Sequence, residues 1–435
     1  MKIGVIADDL TGANATGVQL SKQGFSSATV VYRDKIPDSQ ELDAVCIDTD
    51  TRYANEQAVV NRMKKAMQSF QEWDAKVICK RIDSTIRGNI GLEIDTILEE
   101  IGENSLAVVV ASFPDSGRIS SGGYLLVDSV PVQETDVAKD PVMPITKSFI
   151  PEIIQKQSKY TVGHIGLDKV LAGNSQLKEA IENQIKKNTR IVVVDAVTDE
   201  EIDTIAETIT EIQSVRIVPV DPGPLTAAYS RAFLHQFTES SKIIVTVGSV
   251  TTLTGRQLRY LIDKTDSNPV YVSAEKLATL SASWEKEIQR ATAEALERIY
   301  KNDVLIITTY EKDARLIDFN LKAERENTSQ DALAKRITDG LAKITRLVME
   351  KTEHPIQGCF TSGGDVTASL CAVCMATGIK LENEVLPLAA YGKMIGGHFP
   401  DQPIVTKGGL VGDKKAIYSS VKHLKSTHTK RSAKL

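Results

Sequence analysis

Two adjacent aspartates, Asp8 and Asp9, follow a short apolar run at residues 2–7 and precede Thr11 and Gly12. The run has the composition of a buried strand, and the glycine is typical of a turn that opens a helix. Two carboxylates at the end of a strand repel one another and need cations, hydroxyl groups or water as partners. Because ligands of open α/β sheets bind at this edge, the pair is a candidate site. The pair alone leaves a second interpretation equally open, in which Asp9 only caps the helix and Asp8 faces solvent.

Two more polar clusters follow predicted strands in the first half of the chain. Residues 80–89 place two cations, a carboxylate and two hydroxyl groups directly after a strand, and residues 112–118 follow the most apolar strand of this half. The ends of parallel strands lie along one edge of a sheet, so the charged side chains of all three clusters are expected to converge there. These side chains are Asp8, Asp9, Asp83, Lys80, Arg87 and Arg118.

This mixture of charges suits a small polyhydroxy acid. Cations bind the carboxylate of such an acid, and carboxylates and hydroxyl groups bind its OH groups. Thr11 and Ser84 belong to the same clusters and are counted among the predicted substrate-binding residues. Any one cluster can instead be a solvated loop with a local salt bridge, but three together favour a site.

The second half of the chain carries glycine-rich turns in the corresponding places. They follow predicted strands at residues 248–252, 361–367 and 407–413. Glycine lets backbone N–H groups approach phosphate oxygens, and a helix N-terminus adds a favourable partial charge. Neither GxxxxGK[ST] nor GxGxxG is present, so a nucleotide site here must be of another type. One such turn is usually only turn geometry, but three in one domain, one of them with Lys407, favour phosphate binding.

The elements that must position these residues alternate between strand and helix. Apolar runs such as residues 106–111 and 190–196 are separated by helical patterns, which indicates a mostly parallel sheet covered by helices on both faces. The alternation breaks at residues 221–224 and resumes at residues 242–247. The fold class is therefore predicted to be α/β, with two domains of this architecture.

The predicted domains are residues 1–235, which carry the charged clusters, and residues 236–420, which carry the glycine turns. Residues 421–435 are polar and basic and are predicted to form a solvated tail. An active site in the cleft between the domains requires them to close on one another, and a hinge is expected at residues 222–224.

The composition argues against several classes of protein. The 435 residues have a net charge of −5, whereas general nucleic-acid binders show a basic face. No stretch approaches the roughly 20 apolar residues of a membrane span, and the N-terminus resembles a strand rather than a signal peptide. The five cysteines fit free thiols in a reducing cytoplasm, and Cys371 and Cys374 are better explained by core packing than by metal or redox chemistry. We therefore expect a cytoplasmic protein that binds neither nucleic acid nor a membrane.

Together these segments resemble the four-carbon acid sugar kinase family, whose members include D-threonate, D-erythronate and 3-oxo-tetronate kinases. The resemblance covers nearly the whole chain, and the motifs that carry it lie at residues 8–12, 80–88, 113–118, 134–141, 248–249, 362–365 and 407–412. The chain departs from the family at two points. The family often reads Gly-Gly-Asp-Thr where Val366 here moves the threonine to Thr367, and Lys-Ser-Gly-Gly-Phe-Gly where residues 407–412 read Lys-Gly-Gly-Leu-Val-Gly.

The resemblance implies a kinase that binds a sugar acid on its N-terminal domain and ATP on its C-terminal domain, with Mg²⁺. The sequence does not identify the metal ligands. The resemblance and the glycine turns together give the predicted nucleotide-binding residues, which are Ser249, Thr361, Ser362, Gly363, Gly364, Asp365, Lys407, Gly408, Gly409 and Gly412.

The resulting hypothesis is transfer of the ATP γ-phosphoryl group to the terminal (C4) hydroxyl of a four-carbon sugar acid, in sugar-acid catabolism. In this hypothesis Asp8 or Asp9 orients and deprotonates the hydroxyl, and Lys407 stabilises the phosphates. The predicted cations for the substrate are Lys80, Arg87 and Arg118. A non-catalytic sensor of sugar acid and nucleotide is one alternative; a dehydrogenase is another, against which the missing dinucleotide pattern stands. The sequence does not distinguish threonate, erythronate and their 3-oxo forms, and a homodimer is a further expectation.

Overall fold

The computed structural model describes residues 1–31, 36–37, 41–235, 241–249, 251–311 and 317–427. The chain divides into two compact units, Met1–Phe237 and Thr238–His428, which are called the N-terminal unit and the C-terminal unit below. A search of the described residues finds no helix with the length and apolar character needed to cross a membrane.

The N-terminal unit alternates strands with helices along most of its length. Its strands are β1 (Ile3–Ala7), β2 (Ser27–Val31), β3 (Ala44–Asp48), β4 (Val77–Arg81), β5 (Ser105–Val109), β6 (Arg118–Ser121), β7 (Tyr124–Val127), β8 (Val130–Pro131), β9 (Val162–Ile165), β10 (Ile191–Val194) and β11 (Arg216–Asp221). Its helices are α1 (Leu10–Lys22), α2 (Glu56–Glu72), α3 (Ile90–Ile101), α4 (Ile150–Gln155), α5 (Leu167–Leu171), α6 (Asn174–Lys186), α7 (Asp199–Thr210) and α8 (Pro224–His235).

Eight of these strands form one parallel sheet in the order β2-β3-β1-β4-β11-β5-β10-β9. Helices α2, α3 and α4 pack on one face of this sheet, and α1, α5, α6, α7 and α8 pack on the other. Covering both faces explains why the central strands are apolar throughout, as in the fully buried β1 and β5. The last strand of the unit in the sequence, β11, lies inside the sheet between β4 and β5.

A smaller antiparallel sheet, β6-β7-β8, interrupts the alternation after β5. Short 3₁₀ turns at Val132–Glu134 and Asp136–Lys139 follow it. At residues 122–144 the sequence changes to short segments with Gly and Pro, which predicts a hairpin and an extended excursion, and the structure has the antiparallel pair β6–β7 and the 3₁₀ turns in this part of the chain.

The C-terminal unit is a second α/β layer structure. Its strands are β12 (Lys242–Val247), β13 (Val270–Tyr271), β14 (Val304–Thr308), β15 (Ile356–Ser362), β16 (Gly378–Leu386), β17 (Ala389–Ile395) and β18 (Pro403–Lys407). Its helices are α9 (Thr252–Thr265), α10 (Ala274–Leu277), α11 (Ser283–Ile299), α12 (Phe319–Glu326), α13 (Gln330–Lys351), α14 (Gly364–Val373) and α15 (Ala416–Thr427). The sheet has the order β13-β14-β12-β15-β18-β17-β16 and is parallel except where β17 pairs with β16 and β18. The α/β fold class with two mostly parallel sheets is therefore confirmed.

One detail differs from the sequence-based expectations. Helix α15 continues to Thr427 with Val421 and Leu424 buried, so the segment predicted as a tail begins as a packed helix, and residues 428–435 lie outside the described residues. The hinge expected at residues 222–224 stays a prediction. In this structure the buried carboxylate of Asp221 accepts hydrogen bonds from the backbone N–H groups of Gly223 and Leu225 at this turn.

Candidate active site

The N-terminal candidate site lies where the chain leaves neighbouring strands toward opposite faces of the sheet. Strands β1 and β4 are adjacent, and Ala7 is paired with Arg81 at their ends. Helix α1, which follows β1, packs on one face, whereas α3, which follows β4, packs on the other. The segments that follow β1 and β4 therefore diverge at this point, which is where open α/β sheets usually bind their ligands.

Asp8 and Asp9 share a cation from β4. Arg81 Nη1 donates to Asp8 Oδ1 at 3.1 Å and to Asp9 Oδ1 at 3.0 Å. Asp9 is also the N-cap of α1, because its Oδ1 accepts from Gly12 N at 2.9 Å. A Cβ on Gly12 would lie 1.8 Å from Arg81 Nη1, so glycine is required there to admit the guanidinium group. The capping interpretation and the site interpretation of Asp9 therefore both hold in part.

Arg52, which the sequence reasoning missed, is a second cation on the same carboxylates. Its Nε donates to Asp8 Oδ2 at 2.6 Å, and its Nη2 lies 2.9 Å from Asp9 Oδ1 and 3.4 Å from Asp83 Oδ1. The side chain is only 11% exposed. Arg52 follows β3, which is adjacent to β1, so its position after a predicted strand was a signal that could have found it.

Asp83 and Arg87 form a bidentate ion pair next to Arg52. Arg87 Nε lies 2.8 Å from Asp83 Oδ2, and Arg87 Nη2 lies 3.1 Å from Asp83 Oδ1. Burial raises the pKa of Asp83, but the hydrogen bonds from Arg87 and the charge of Arg52 outweigh this effect and hold the pKa at about 2. Asp83 is therefore a carboxylate at physiological pH. In the same turn the β-branched Ile86 has φ +60, a strained conformation of the kind that often occurs at functional sites.

Asp140 extends the site from the excursion after β8. Its Oδ2 accepts from Arg87 Nη1 at 3.0 Å and from Tyr53 Oη at 2.9 Å. The backbone N–H groups of Met143 and Val142, together with these two donors, hold the pKa of Asp140 well below its usual range. Asp140 lies in a segment that carries the family resemblance, although no role was predicted for it. The charged residues that meet here are called the Asp–Arg cluster, and they are Asp8, Asp9, Asp83, Asp140, Arg52, Arg81 and Arg87.

Not every predicted substrate residue belongs to this cluster. Lys80 is fully buried and pairs with Glu93 of α3, so its predicted contact with substrate is not seen. Arg118 donates to the carbonyl of Ser116 in its own loop and forms no ion pair within the described part of the chain. Thr11 and Ser84 lie next to cluster residues in the chain.

The glycine turns of the C-terminal unit also meet at one sheet edge. Strand β15 lies between β12 and β18, with Ser362 opposite Val247 on one side and Lys407 on the other. Helix α9 packs on one face of the sheet and α14 on the opposite face, so β12 and β15 also flank a divergence of the chain. Gly363 N donates to the Lys407 carbonyl at 2.8 Å, which joins two of the turns directly.

Hydroxyl groups and glycine backbone join the remaining turn to this edge. Thr254 Oγ1 lies 2.9 Å from Ser249 Oγ and donates to the Gly409 carbonyl at 3.1 Å. A Cβ on Gly409 would approach Ser249 Oγ to 3.1 Å, so the two turns are in close contact. Gln257 holds the last turn, with its Nε2 donating to the carbonyls of Val411 and Asp413 at 2.9 and 2.8 Å.

Two polar groups at this edge have properties that suit a phosphate ligand. Lys407 is 2% exposed, and burial lowers its pKa to about 8. Its Nζ donates to the carbonyls of Gly408 and Val411 at 2.7 and 3.2 Å. Ser362 Oγ is buried and has no hydrogen-bond partner within the described residues, so a hydroxyl group remains available there.

The other predicted nucleotide residues surround these groups. Gly364 and Asp365 are exposed at the start of α14, and Thr361 is buried with its hydroxyl 2.8 Å from that of Thr367. Gly363 and Gly412 have φ of +107 and +80, so both turns depend on glycine. Within the described ranges, no group of three or more His, Cys, Asp and Glu side chains is arranged to hold a metal ion.

These features define an α/β protein with a cluster of paired charges at a sheet edge of one unit and glycine turns at a sheet edge of the other. Two family models match the chain, a sugar-binding N-terminal domain over residues 3–229 and a nucleotide-binding C-terminal domain over residues 244–417. The chain belongs to the four-carbon acid sugar kinase family.

Individual relatives agree with this assignment. D-erythronate kinase of Heliobacterium modesticaldum is 41% identical over 424 residues, which are 97% of this chain and 96% of the relative. D-threonate kinase of Salmonella typhimurium is 29% identical over 429 residues, 98% of this chain and 99% of the relative. A solved Bordetella bronchiseptica structure, described as a domain of unknown function with bound citrate and as a domain-swapped dimer, matches with a TM-score of 0.74 and 25% identity. That match covers 98% of this chain and 99% of the other.

Membership in this family gives the general activity. The chain is a phosphotransferase that acts on an alcohol group of four-carbon acid sugars, and ATP is the donor that a kinase of this kind implies. The predicted enzyme class is confirmed, and the dehydrogenase alternative is wrong.

Proposed function

We propose that the protein phosphorylates the C4 hydroxyl of D-erythronate, using ATP with Mg²⁺, in sugar-acid catabolism. The observation that carries this proposal is the Asp–Arg cluster, because its paired cations and carboxylates match an acid that also has several hydroxyl groups. The choice of erythronate among four-carbon acids rests on the 41% identity to a D-erythronate kinase.

The substrate carboxylate is assigned to Arg52 and Arg81. Arg81 Nε is buried and makes no hydrogen bond within the described residues, and Arg52 Nη2 lies 2.9 Å from Asp9 Oδ1 and 3.4 Å from Asp83 Oδ1. A buried guanidinium donor left without an acceptor is costly unless a ligand supplies one. A carboxylate of the substrate would supply it and pair with both guanidinium groups, and the neighbouring carboxylates would accept hydrogen bonds from its hydroxyl groups.

Asp9 is the proposed general base. Both oxygens of Asp8 are taken by Arg81 and Arg52, whereas Asp9 Oδ2 has no partner among the described residues and the Asp9 side chain is 27% exposed. Phosphoryl transfer has a loose transition state and needs mainly orientation of the attacking hydroxyl, which a carboxylate oxygen can provide by accepting its hydrogen bond. Asp8 then serves to hold the two guanidinium groups in place.

The donor phosphates are assigned to the three glycine turns of the C-terminal unit. Lys407 and the free hydroxyl of Ser362 would contact the phosphates, and the backbone at Gly363 and Gly364 would approach them closely. Mg²⁺ would be bound together with the triphosphate and neutralise its charge. Transfer requires the hydroxyl group of the bound acid to meet the γ-phosphate of the bound ATP, so we expect a conformational change during turnover.

The test is ATP consumption by the purified protein with Mg²⁺ against D- and L-erythronate, D- and L-threonate and their 3-oxo forms. The highest kcat/KM is expected with D-erythronate, and the ³¹P-coupled NMR spectrum of the product should show phosphate on C4. A higher kcat/KM for another acid on the panel would replace the proposed substrate. Measurable ATP binding with no turnover of any acid would contradict the proposal and favour a sensor. Sedimentation of the same sample tests the homodimer, which we propose from the dimeric Bordetella relative.

A further inference from the structure

A buried polar set lies directly beneath the Asp–Arg cluster. Lys80 Nζ is 2.9 Å from Glu93 Oε2, and the two side chains are 0% and 1% exposed. The other carboxylate oxygen, Glu93 Oε1, accepts a hydrogen bond from Thr51 Oγ1, and Thr51 is also fully buried. None of these three side chains reaches solvent, so none is placed to contact a substrate directly.

Lys80 connects the two strands that carry the cluster. Its Nζ donates to the Arg81 carbonyl at 2.7 Å and reaches the Ile6 carbonyl on β1 at 3.4 Å. Because neighbouring side chains of a strand point to opposite faces, Lys80 extends toward α3 while Arg81 extends toward α1. One lysine therefore links the ends of β1 and β4 to the helix that carries Glu93.

Thr51 connects this pair to the loop that carries Arg52. The Thr51 backbone N–H donates to the Asp8 carbonyl at 3.0 Å, and its hydroxyl lies 2.8 Å from that of Thr49. From the other side of the loop, Asn89 Nδ2 donates to the carbonyls of Thr51 and Ala54 at 2.8 and 3.1 Å. The backbone that precedes the Arg52 side chain is thus held by hydrogen bonds on both sides.

A buried ion pair is weak support for stability, because hydrophobic residues of similar volume are often as stable or more so. We propose that Lys80, Glu93 and Thr51 are positioning residues that set the Arg52 guanidinium group against Asp8 and Asp9. This inference rests on the proposed function, in which Arg52 binds the substrate carboxylate. A displacement of about 1 Å in such a group is enough to lower turnover about 100-fold.

The first test compares Thr51→Val with Thr51→Ser. Valine keeps the shape of threonine and removes the hydroxyl donated to Glu93, whereas serine keeps the hydroxyl. We expect kcat/KM for D-erythronate to fall about tenfold or more in the valine variant and to remain near wild type in the serine variant. The KM for ATP should be the same in both, because the change lies in the N-terminal unit. Equal kcat/KM values for the two variants would overturn the inference.

The second test removes the ion pair as a whole with the double variant Lys80→Met/Glu93→Leu. It should unfold at a temperature close to wild type and yet show a kcat about 100-fold lower. The matched control is Arg231→Met/Asp203→Leu, which removes a partly buried ion pair of 2.6 Å between α8 and α7, away from the cluster. Wild-type kcat in a folded Lys80→Met/Glu93→Leu variant would count against the inference.

A ligand-free measurement separates this inference from the proposed function. The Arg52 Nε–H group donates to Asp8 at 2.6 Å, so its NMR signal, assigned with Arg52→Lys, should exchange slowly with water. Exchange is expected to be about tenfold faster in Thr51→Val than in Thr51→Ser. Equal exchange rates would refute the positioning role whether or not any sugar acid is phosphorylated, whereas a wild-type protein inactive on every acid would refute only the proposed function.

Discussion

In the N-terminal unit the groups that meet at the sheet edge are charged side chains already paired with one another, whereas in the C-terminal unit they are mostly glycine backbone. The Asp–Arg cluster contains four carboxylates and three guanidinium groups joined by ion pairs. The three glycine turns contain one buried cation, Lys407, whose pKa burial lowers to about 8.

This difference matches what each ligand class requires. Four-carbon acids differ from one another in single stereocentres, and recognising them takes individually placed donors and acceptors. Triphosphates present many equivalent oxygens, which backbone N–H groups and a helix N-terminus can bind without side chains. The N-terminal site should therefore be sensitive to the loss of a charge, and the C-terminal site to the addition of a methyl group.

The largest effect is expected from Asp9→Asn. Asparagine is also a good N-cap, so α1 should be retained, while the acceptor for the substrate proton is lost. We expect kcat to fall about 10³-fold with the KM for ATP unchanged. The matched control is Asp50→Asn, which changes an exposed carboxylate outside the cluster that pairs with Arg62. A kcat within a factor of three of wild type in Asp9→Asn would exclude Asp9 as the base.

A smaller effect is expected at Lys407, and it should depend on pH. A lysine with a pKa of about 8 is protonated below that pH and loses its charge above it. The kcat/KM for ATP should therefore fall as pH rises through 8 and be about tenfold lower at pH 9 than at its plateau. Lys407→Met should lower the plateau about 100-fold and abolish this alkaline limb. The control is Lys414→Met, which changes an exposed lysine. If kcat/KM for ATP still fell above pH 8 in Lys407→Met, the group that titrates would be a different one.

The smallest effect is expected from an added methyl group at Gly364. A Cβ there would have no atom within 4 Å, so Gly364→Ala should fold normally while narrowing the space for phosphate oxygens. We expect the KM for ATP to rise about tenfold with the melting temperature unchanged.

Gly412→Ala is the contrasting variant, because Gly412 has φ +80 and its Cβ would lie 2.5 Å from that of Ala416. It should lower the free energy of unfolding by about 1–3 kcal/mol. An unchanged KM for ATP in Gly364→Ala would show that the phosphates of ATP do not bind at the start of α14.

Much of this architecture follows from the sequence because strand ends are readable there. Apolar runs that are followed by polar residues predicted both sheet edges. Asp8, Asp9, Asp83 and Arg87 lie together at the first of these edges, as expected. Lys80 was predicted to contact the substrate, whereas the structure pairs it with Glu93 and places Arg81 against Asp8 and Asp9. Two cations stand side by side at the end of β4. Which of them faces the cluster depends on the face that α3 covers, and periodicity does not show this.

Other features depend on relations between distant parts of the chain. Arg52 reaches Asp8 only because β3 lies beside β1, and strand order is not encoded in local patterns. The hairpin β16–β17 was missed because much of β16 is exposed, with Leu381 and Glu382 both facing water. Such a strand lacks the buried apolar run by which the other strands were found.

The position of β11 in the middle of the first sheet has a consequence for biosynthesis. Strands β4 and β5 are not neighbours, because the segment Arg216–Asp221 must enter between them. At about 5–20 residues per second, that segment is made roughly 10–40 s after translation begins. Until then the nascent chain carries two unpaired strand edges beneath its future active site. Fragments that stop before Asp221 should accordingly aggregate or engage chaperones rather than fold.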